Sequence, residues 1–287
     1  MLLRIITTTT LLSLLIYVSA QIFGFKTDPG INPDSLGNPI AKIAVLSDSH
    51  NSLENLQKSL DIAKEKNVDF AIVLGDLSNV GTKSELQQAK KILDQSNLSY
   101  YIIPGDHEYY ISEWDGSSMI ENFKEIFGSR YQKILLDLES FRFKITTSHP
   151  AIRLVLLDNA STTAGLDDNQ LYWFMDQLTQ AKFRGEIVYV FAHNPLYHPT
   201  NTRVMGQKSS HLKAQAQTLL KLIRNAPVKI FVGGDQHFSS INQDPKKEGL
   251  DHLVVGALSS ERNLQSPRFS ILTVFDLGGL KIDEVVL

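Results

Sequence analysis

The stretch "IIPGDHEYY" (102–110) breaks an apolar run with Pro-Gly and follows it with Asp106, His107 and Glu108, three titratable side chains where a core strand would leave its sheet. Four other stretches repeat that design. "LSDSH" ends in Asp48 and His50, "LGDLSN" carries Asp76 and Asn79, "FAHNP" carries His193, and "GGDQH" carries Asp235 and His237. Carboxylates and imidazoles bind divalent cations, and the i, i+2 spacing of "DSH" would put Asp48 and His50 on one side of an extended backbone, gripping one ion, a spacing that "DQH" repeats. Any one stretch reads equally well as a helix cap, a turn or a polar loop. Five together, each at the end of an apolar run, point to a single site. With no cysteine among 287 residues, thiolate zinc sites, disulfides and a cysteine nucleophile are excluded, so His and carboxylate must hold any metal. The chain also lacks a G-x-S-x-G nucleophile elbow.

The elements that must position these residues alternate. "KIAVLSD", "DFAIVLGD" and "SYYIIPGD" read as strands, separated by amphipathic helices in "SLENLQKSLDIAKEKN" and "TKSELQQAKKILDQSN". A short helix, "MIENFKEIFG", precedes two strands expected to be antiparallel, "FRFKITTS" and "IRLVLLDN". Helix "NQLYWFMDQLTQAK", strand "EIVYVFAHNP", helix "LKAQAQTLLKLIR" and strand "VKIFVGGDQH" follow, and three more strands close the chain. This is an α/β pattern of βαβ units with a parallel sheet. In such sheets ligand sites lie beyond the carboxyl ends of the strands, where all five stretches fall.

The residues in this order resemble the calcineurin-like metallophosphoesterases, whose pattern is D-x-H, G-D-x-x-[DN], G-N-H-[DE], H-x-P and G-H-x-H. "DSH", "GDLSN" and "HNP" match as they stand, and "GLDDNQLYWFMDQL" is similar to the G-x-x-x-x-Q-x-x-W stretch of its phosphatases and phosphodiesterases. The resemblance implies a four-layer α/β/β/α sandwich, two mixed sheets flanked by helices. It implies a first metal held by Asp48, His50, Asp76 and His237, and a second by Asp76, Asp106, His193 and Asp235. It further implies His107 as the group that meets the phosphate and protonates the leaving oxygen, oriented by Asn79. Asp106 and Asp235 depart from the pattern, standing where the family has Asn and His. Both add an anion to the second set, which favours Mn²⁺ or Mg²⁺ over the softer Zn, with Fe and Zn as alternatives. The function implied is hydrolysis of a small-molecule phosphate ester, as phosphodiesterase or phosphatase, by a bridging hydroxide between two divalent ions. The alternative is a non-catalytic envelope protein that keeps the fold and binds a metal or phosphorylated ligand.

Residues 1–24 contain Arg4, an apolar stretch from Leu11 to Val18 and the small pair Ser19 and Ala20, the pattern of a signal peptide or N-terminal membrane anchor. Residues 25–39 read as a Pro-, Gly- and Asn-rich linker, and 40–287 as the catalytic domain. The domain is therefore expected outside the cytoplasm. A net charge of -3 and the lack of a basic stripe disfavour a nucleic-acid partner. Arg203, Lys208, His198 and His211 lie in a loop and helix start where they could meet a substrate, and His149 and His252 read as structural.

Overall fold

The computed structural model describes residues 37–111, 118–136, 150–207, 209–261 and 263–287. The stretch read as signal or anchor, most of the linker, "FRFKITTS", His149 and Lys208 lie outside them. The compact unit runs from Asn38 to Leu287. Among the described residues, no helix is long and apolar enough to cross a membrane.

Strand β1 (Pro39–Leu46) is apolar on both faces because both are covered. Ile43 and Val45 point between two sheets, whereas Ala44 and Leu46 point towards helices. Helix α1 (Leu53–Glu65) buries Leu56, Leu60 and Ala63 at helical spacing, and α2 (Lys83–Gln95) buries Leu86, Ala89 and Leu93. A capping box between Thr82 and Glu85 starts α2. With β2 (Phe70–Val73), β3 (Tyr100–Ile102) and α3 (Ile120–Phe127), these form one half of the molecule.

The chain then moves to a second sheet: β4 (Gln132–Leu136), β5 (Ile152–Leu157), α4 (Asp168–Arg184), β6 (Ile187–Ala192), α5 (Ser210–Arg224), β7 (Val228–Gly233), β8 (Ser240–Gln243) and β9 (Asp251–Val254). It returns through β10 (Arg268–Phe275) and β11 (Leu280–Val286) to the first. The five-stranded sheet has the order β11-β10-β1-β2-β3 and the six-stranded sheet β4-β5-β6-β7-β9-β8. Ile72 and Leu74 on one side meet Leu154, Phe191 and Val232 on the other in the central core. Phe174, Leu178, Leu212 and Leu219 fasten α4 and α5 to the outer face of the second sheet. Two mixed sheets flanked by helices is thus the fold.

The strand alternation alone suggests one parallel sheet, and the structure corrects it. Parallel pairing is confined to β1-β2-β3 and β5-β6-β7-β9. Strand β10 lies antiparallel beside β1, and β4 antiparallel beside β5. The antiparallel partner of "IRLVLL" is "QKILL", a half-exposed edge strand whose polar residues hide its character, as they do in "SINQ" of β8.

The ends of β1, β2 and β3 and of β6 and β7 open on one edge of the sandwich. Gly75 leaves β2 at φ 93°, and its Cα packs on the Pro104-Gly105 main chain so tightly that a Cβ would stand 2.1 Å from Gly105 N. No side chain fits there. Gly75→Ala should therefore lower the free energy of unfolding by about 2–4 kcal/mol, read from urea denaturation of metal-free protein.

Candidate metal centre

Each strand end delivers its ligand with a main-chain device. Asp48 and His50 follow β1 at φ 55° and 42°, and Asp235 and His237 follow β7 at 61° and 53°. These i, i+2 pairs are not extended, as the spacing suggests. Both members lie in the left-handed region, which turns their side chains to the same centre by a tighter path. Such residues cost about 1–3 kcal/mol each and persist only where the surroundings hold them. Here Asp48 N donates to Gly75 O at 3.2 Å, and His50 N donates to Asp76 O at 2.9 Å.

The carboxylates are oriented in the same way. Asp48 Oδ2 accepts from Asp235 N at 3.1 Å, and Asp76 Oδ1 accepts from His107 N at 3.0 Å. That turns Asp48 Oδ1 towards His237 Nε2 at 3.4 Å, and Asp76 Oδ2 towards His50 Nε2 at 3.6 Å and His193 Nε2 at 3.5 Å. His193 Nδ1 lies 2.8 Å from Leu74 O, which can only accept, so Nδ1 carries a hydrogen and Nε2 is the atom turned to the centre.

Two ligand sets, Asp48–His50–Asp76–His237 and Asp106–His193–Asp235, each have their atoms within 4.8 Å of one another, and a third group, Asp76–Asp106–His107, overlaps both. Asp76 Oδ2 reaches both sets through His50 and His193. His50 Nε2 and His237 Nε2 are 3.0 Å apart, the separation of adjacent ligands about 2.1 Å from one metal. Asp76 Oδ2, Asp106 Oδ1 and His193 Nε2 are buried and make no hydrogen bond. Two carboxylates at such range repel by about 3.5 kcal/mol at an effective dielectric of ~20, more than a typical hydrogen bond returns.

The titration behaviour has the same cause. Burial lifts Asp76 well above the usual carboxylate range, and the fields of Asp106, Glu108 and Asp48 add to it. Burial would lower His193, but Asp76, Asp106, Asp48 and Asp235 raise it well above the usual imidazole range. His50 is pushed down to about 4, by burial first and then by the neighbouring imidazoles, so it is a neutral ligand at pH 7. The centre lacks positive charge at the point where unbonded acceptors converge, and its donor set fits divalent cations.

His107 is buried beside the first set, with Nε2 4.0 Å from Asp76 Oδ2. Its orienting partner is the main-chain oxygen of Asn79, 2.5 Å from Nδ1. Asn79, expected in that role, meets the ring through its main chain. His198 accepts the amides of Thr200 and Asn201 in its own loop, and His211 is exposed on α5. His252 pairs with Asp244, a structural contact in the β8-β9 hairpin.

Two features were not legible beforehand. Glu108 is fully buried and accepts from Asp76 N, Gly105 N, Ser78 N and Ser78 Oγ at 2.8–3.2 Å, clamping the β2 and β3 exits together. Its signal was its place directly after His107. Arg203 donates to Asp235 Oδ1 from Nε at 3.0 Å and from Nη2 at 2.7 Å. No local sequence pattern links these two.

The profile described as calcineurin-like phosphoesterase matches residues 41–239. A probable glycerophosphodiester phosphodiesterase of Arcobacter nitrofigilis is 26% identical over 152 residues, 52% of this chain and 49% of that protein. A glycerophosphodiester phosphodiesterase of Enterobacter lignolyticus is 25% identical over 181 residues, 60% and 57% respectively. The chain thus spans about half the length of the curated relatives it matches. Among solved structures, a dimetal phosphatase from Danio rerio (TM-score 0.60, 15% identity, 87% of this chain and 99% of that one) has a similar fold. So does a purple acid phosphatase from yellow lupin seeds (TM-score 0.62, 15% identity, 87% and 52%). A third, the anchor protein GAP50 of the Plasmodium inner membrane complex, has a TM-score of 0.61 at 14% identity over 86% of this chain and 84% of that one.

Glu108→Gln would replace a carboxylate accepting four hydrogen bonds with an amide that cannot face all four donors. It should cost about 2–4 kcal/mol of stability in metal-free protein and weaken Mn²⁺ binding by calorimetry, since both sets depend on the clamped loops.

Proposed function

The chain belongs to the calcineurin-like phosphoesterases, and from that premise we propose that it is an exported, metal-dependent hydrolase of small phosphate esters that favours diesters. The observation that carries the reading is the complete first ligand set with His107 beside it, both reaching Asp76 Oδ2. Ions held by Asp48, His50, Asp76 and His237, and by Asp106, His193 and Asp235 with Asp76 between, would supply an acidified water and neutralise phosphoryl charge. The carboxylate-rich second set suits Mn²⁺ or Mg²⁺.

The chain's own part falls to His107. Because Asn79 O can only accept, Nδ1–H is fixed on that side and Nε2 faces the centre. The imidazolium form can then hand the Nε2 proton to the leaving oxygen, and the hydrogen bond to Asn79 O keeps the ring in line as it does so. No side-chain nucleophile is called for. The preference for diesters rests on charge. Asp106 adds an anion that the family pattern lacks, and at roughly 6 Å it repels each substrate charge by about 3 kcal/mol at an effective dielectric of ~20. A monoester dianion suffers this twice, a diester monoanion once. The names of the two curated relatives agree with a diester substrate. Export rests on the pattern of Arg4, the apolar run and Ala20; a reporter fused after Leu287 should be active only if it works outside the cytoplasm.

The test is hydrolysis of bis(4-nitrophenyl) phosphate, 4-nitrophenyl phosphate and an alkyl diester by Mn²⁺-loaded protein. The aryl diester should be turned over faster than the monoester. His107→Ala should retain its Mn²⁺ by elemental analysis and lose about 10²–10⁴ in turnover of the alkyl ester. The loss on nitrophenyl esters should be smaller, because their leaving group needs no proton; equal losses would remove His107 from the donor role. Folded, metal-loaded protein inert towards all three would favour the non-catalytic reading.

A further inference from the structure

Asp235 stands where the family pattern has histidine, and it brings a guanidinium with it. Its Oδ1, the oxygen 4.0 Å from His193 Nε2, is the atom that Arg203 grips from Nε and Nη2. A neutral imidazole could not hold a guanidinium there. The substituted aspartate is therefore the reason Arg203 reaches the centre. Asp235 belongs to the second ligand set and Oδ1 is the oxygen that faces His193 of that set, so a guanidinium on Oδ1 stands against an ion there.

The main chain of Arg203 is held by contacts that do not involve its head group. Gln236 Nε2 donates to Arg203 O at 2.8 Å, and Arg203 N donates to Asn201 Oδ1 at 2.9 Å. Met205 N ties the loop back to Pro195 O at 2.9 Å. The Arg203 side chain is 48% exposed, and its flexible stem can carry the head group off Asp235 without moving the loop. Arg203, Asp235 and Asp106 line a cavity of about 570 Å³ whose lining also includes Asn159, Ser161 and Ser209. A phosphate bound at the second ligand set would sit at this cavity's inner end, within the sweep of the guanidinium, with polar groups facing its alcohol.

We propose that Arg203 is a specificity-determining residue with two partners. It neutralises Asp235 while the second ligand set holds no ion, and it turns to a substrate phosphate oxygen when an ion takes Asp235 Oδ1. A planar fork of donors suits both partners, a carboxylate and a phosphate. The proposal rests on the phosphate-ester reading of the site, but it is tested without turnover.

The experiment is calorimetry on full-length wild type, Arg203→Ala and Arg203→Lys, first with Mn²⁺ and then with inorganic phosphate on Mn²⁺-saturated protein. Removing the competitor should tighten the second equivalent of Mn²⁺ in Arg203→Ala by about ten-fold, and losing the fork should weaken phosphate by about ten-fold or more. A residue that only supported the loop would weaken both. Arg203→Lys should recover part of the phosphate affinity, because it keeps the charge without the fork. A second-equivalent affinity that is unchanged or lower in Arg203→Ala overturns the competition, whether wild type takes up one ion or two. Undiminished phosphate binding overturns the second partner. Should Arg203→Ala fail to fold by circular dichroism, Arg203→Gln carries the same two readings. Failure of the function reading shows separately, as absent ester hydrolysis by wild type.

Discussion

Everything in this molecule near the strand ends answers one electrostatic constraint: several carboxylate and imidazole acceptors must be held within 4.8 Å of one another in a buried place. Left to themselves these groups would separate or take up protons. The fold counters this by tying the outer atom of three of these groups to the main chain. Asp48 Oδ2, Asp76 Oδ1 and His193 Nδ1 are all tied to backbone groups, so the inner atoms have no direction left but the centre. The left-handed conformations of Asp48, His50, Asp76, Asp235 and His237 are the backbone form of the same constraint. A cation relieves both, because it converts converging acceptors into ligands.

The two sheets make this arrangement possible. Strand ends from one sheet supply Asp48, His50, Asp76 and Asp106, and ends from the other supply His193, Asp235 and His237. The tightly packed layer between the sheets holds the two groups of loops at a fixed distance. Glu108 then joins the β2 and β3 exits through one carboxylate. Farther out, Arg130 and Tyr109 both donate to Asp158 Oδ2, tying the 3-10 turn Asp106–Tyr109 to the end of β5. The turn that carries Asp106 and His107 is thus held from both sheets.

The departures from the family pattern fall on one side only. The set built on Asp48, His50, Asp76 and His237 is unaltered. The set built on His193 carries two more acidic groups, and Arg203 offsets one of them. Asp235 is thus paired with a residue 32 positions away in sequence. The consequence is local to the substrate's charge, while the sandwich that supports it is shared with the structures of a dimetal phosphatase and a purple acid phosphatase.

Residue type and order were enough to determine much of this. Apolar runs ending in acid or imidazole mark the strand exits, because a strand buried on both faces must be continuously apolar and must stop where its chain turns out to a ligand site. The metal-ligand candidates lie at those endings, the family resemblance implied the part of His107, and the helices followed from amphipathic spacing. What sequence could not fix was whatever depends on pairs distant along the chain. The split into two sheets turns on β10 lying beside β1, a pairing of residues more than 220 apart that no local pattern encodes. The edge strands β4 and β8 were hidden because their exposed faces make them polar. The i, i+2 pairs reach the centre by a path other than the extended one, Asp48 and His50 in one ligand set but Asp235 and His237 in two, because all four lie in the left-handed region. Only the tertiary structure decided that Glu108 is a clamp, that Asn79 acts through its main chain, and that Arg203 meets Asp235, because each of these is a contact between loops whose separation is set by packing.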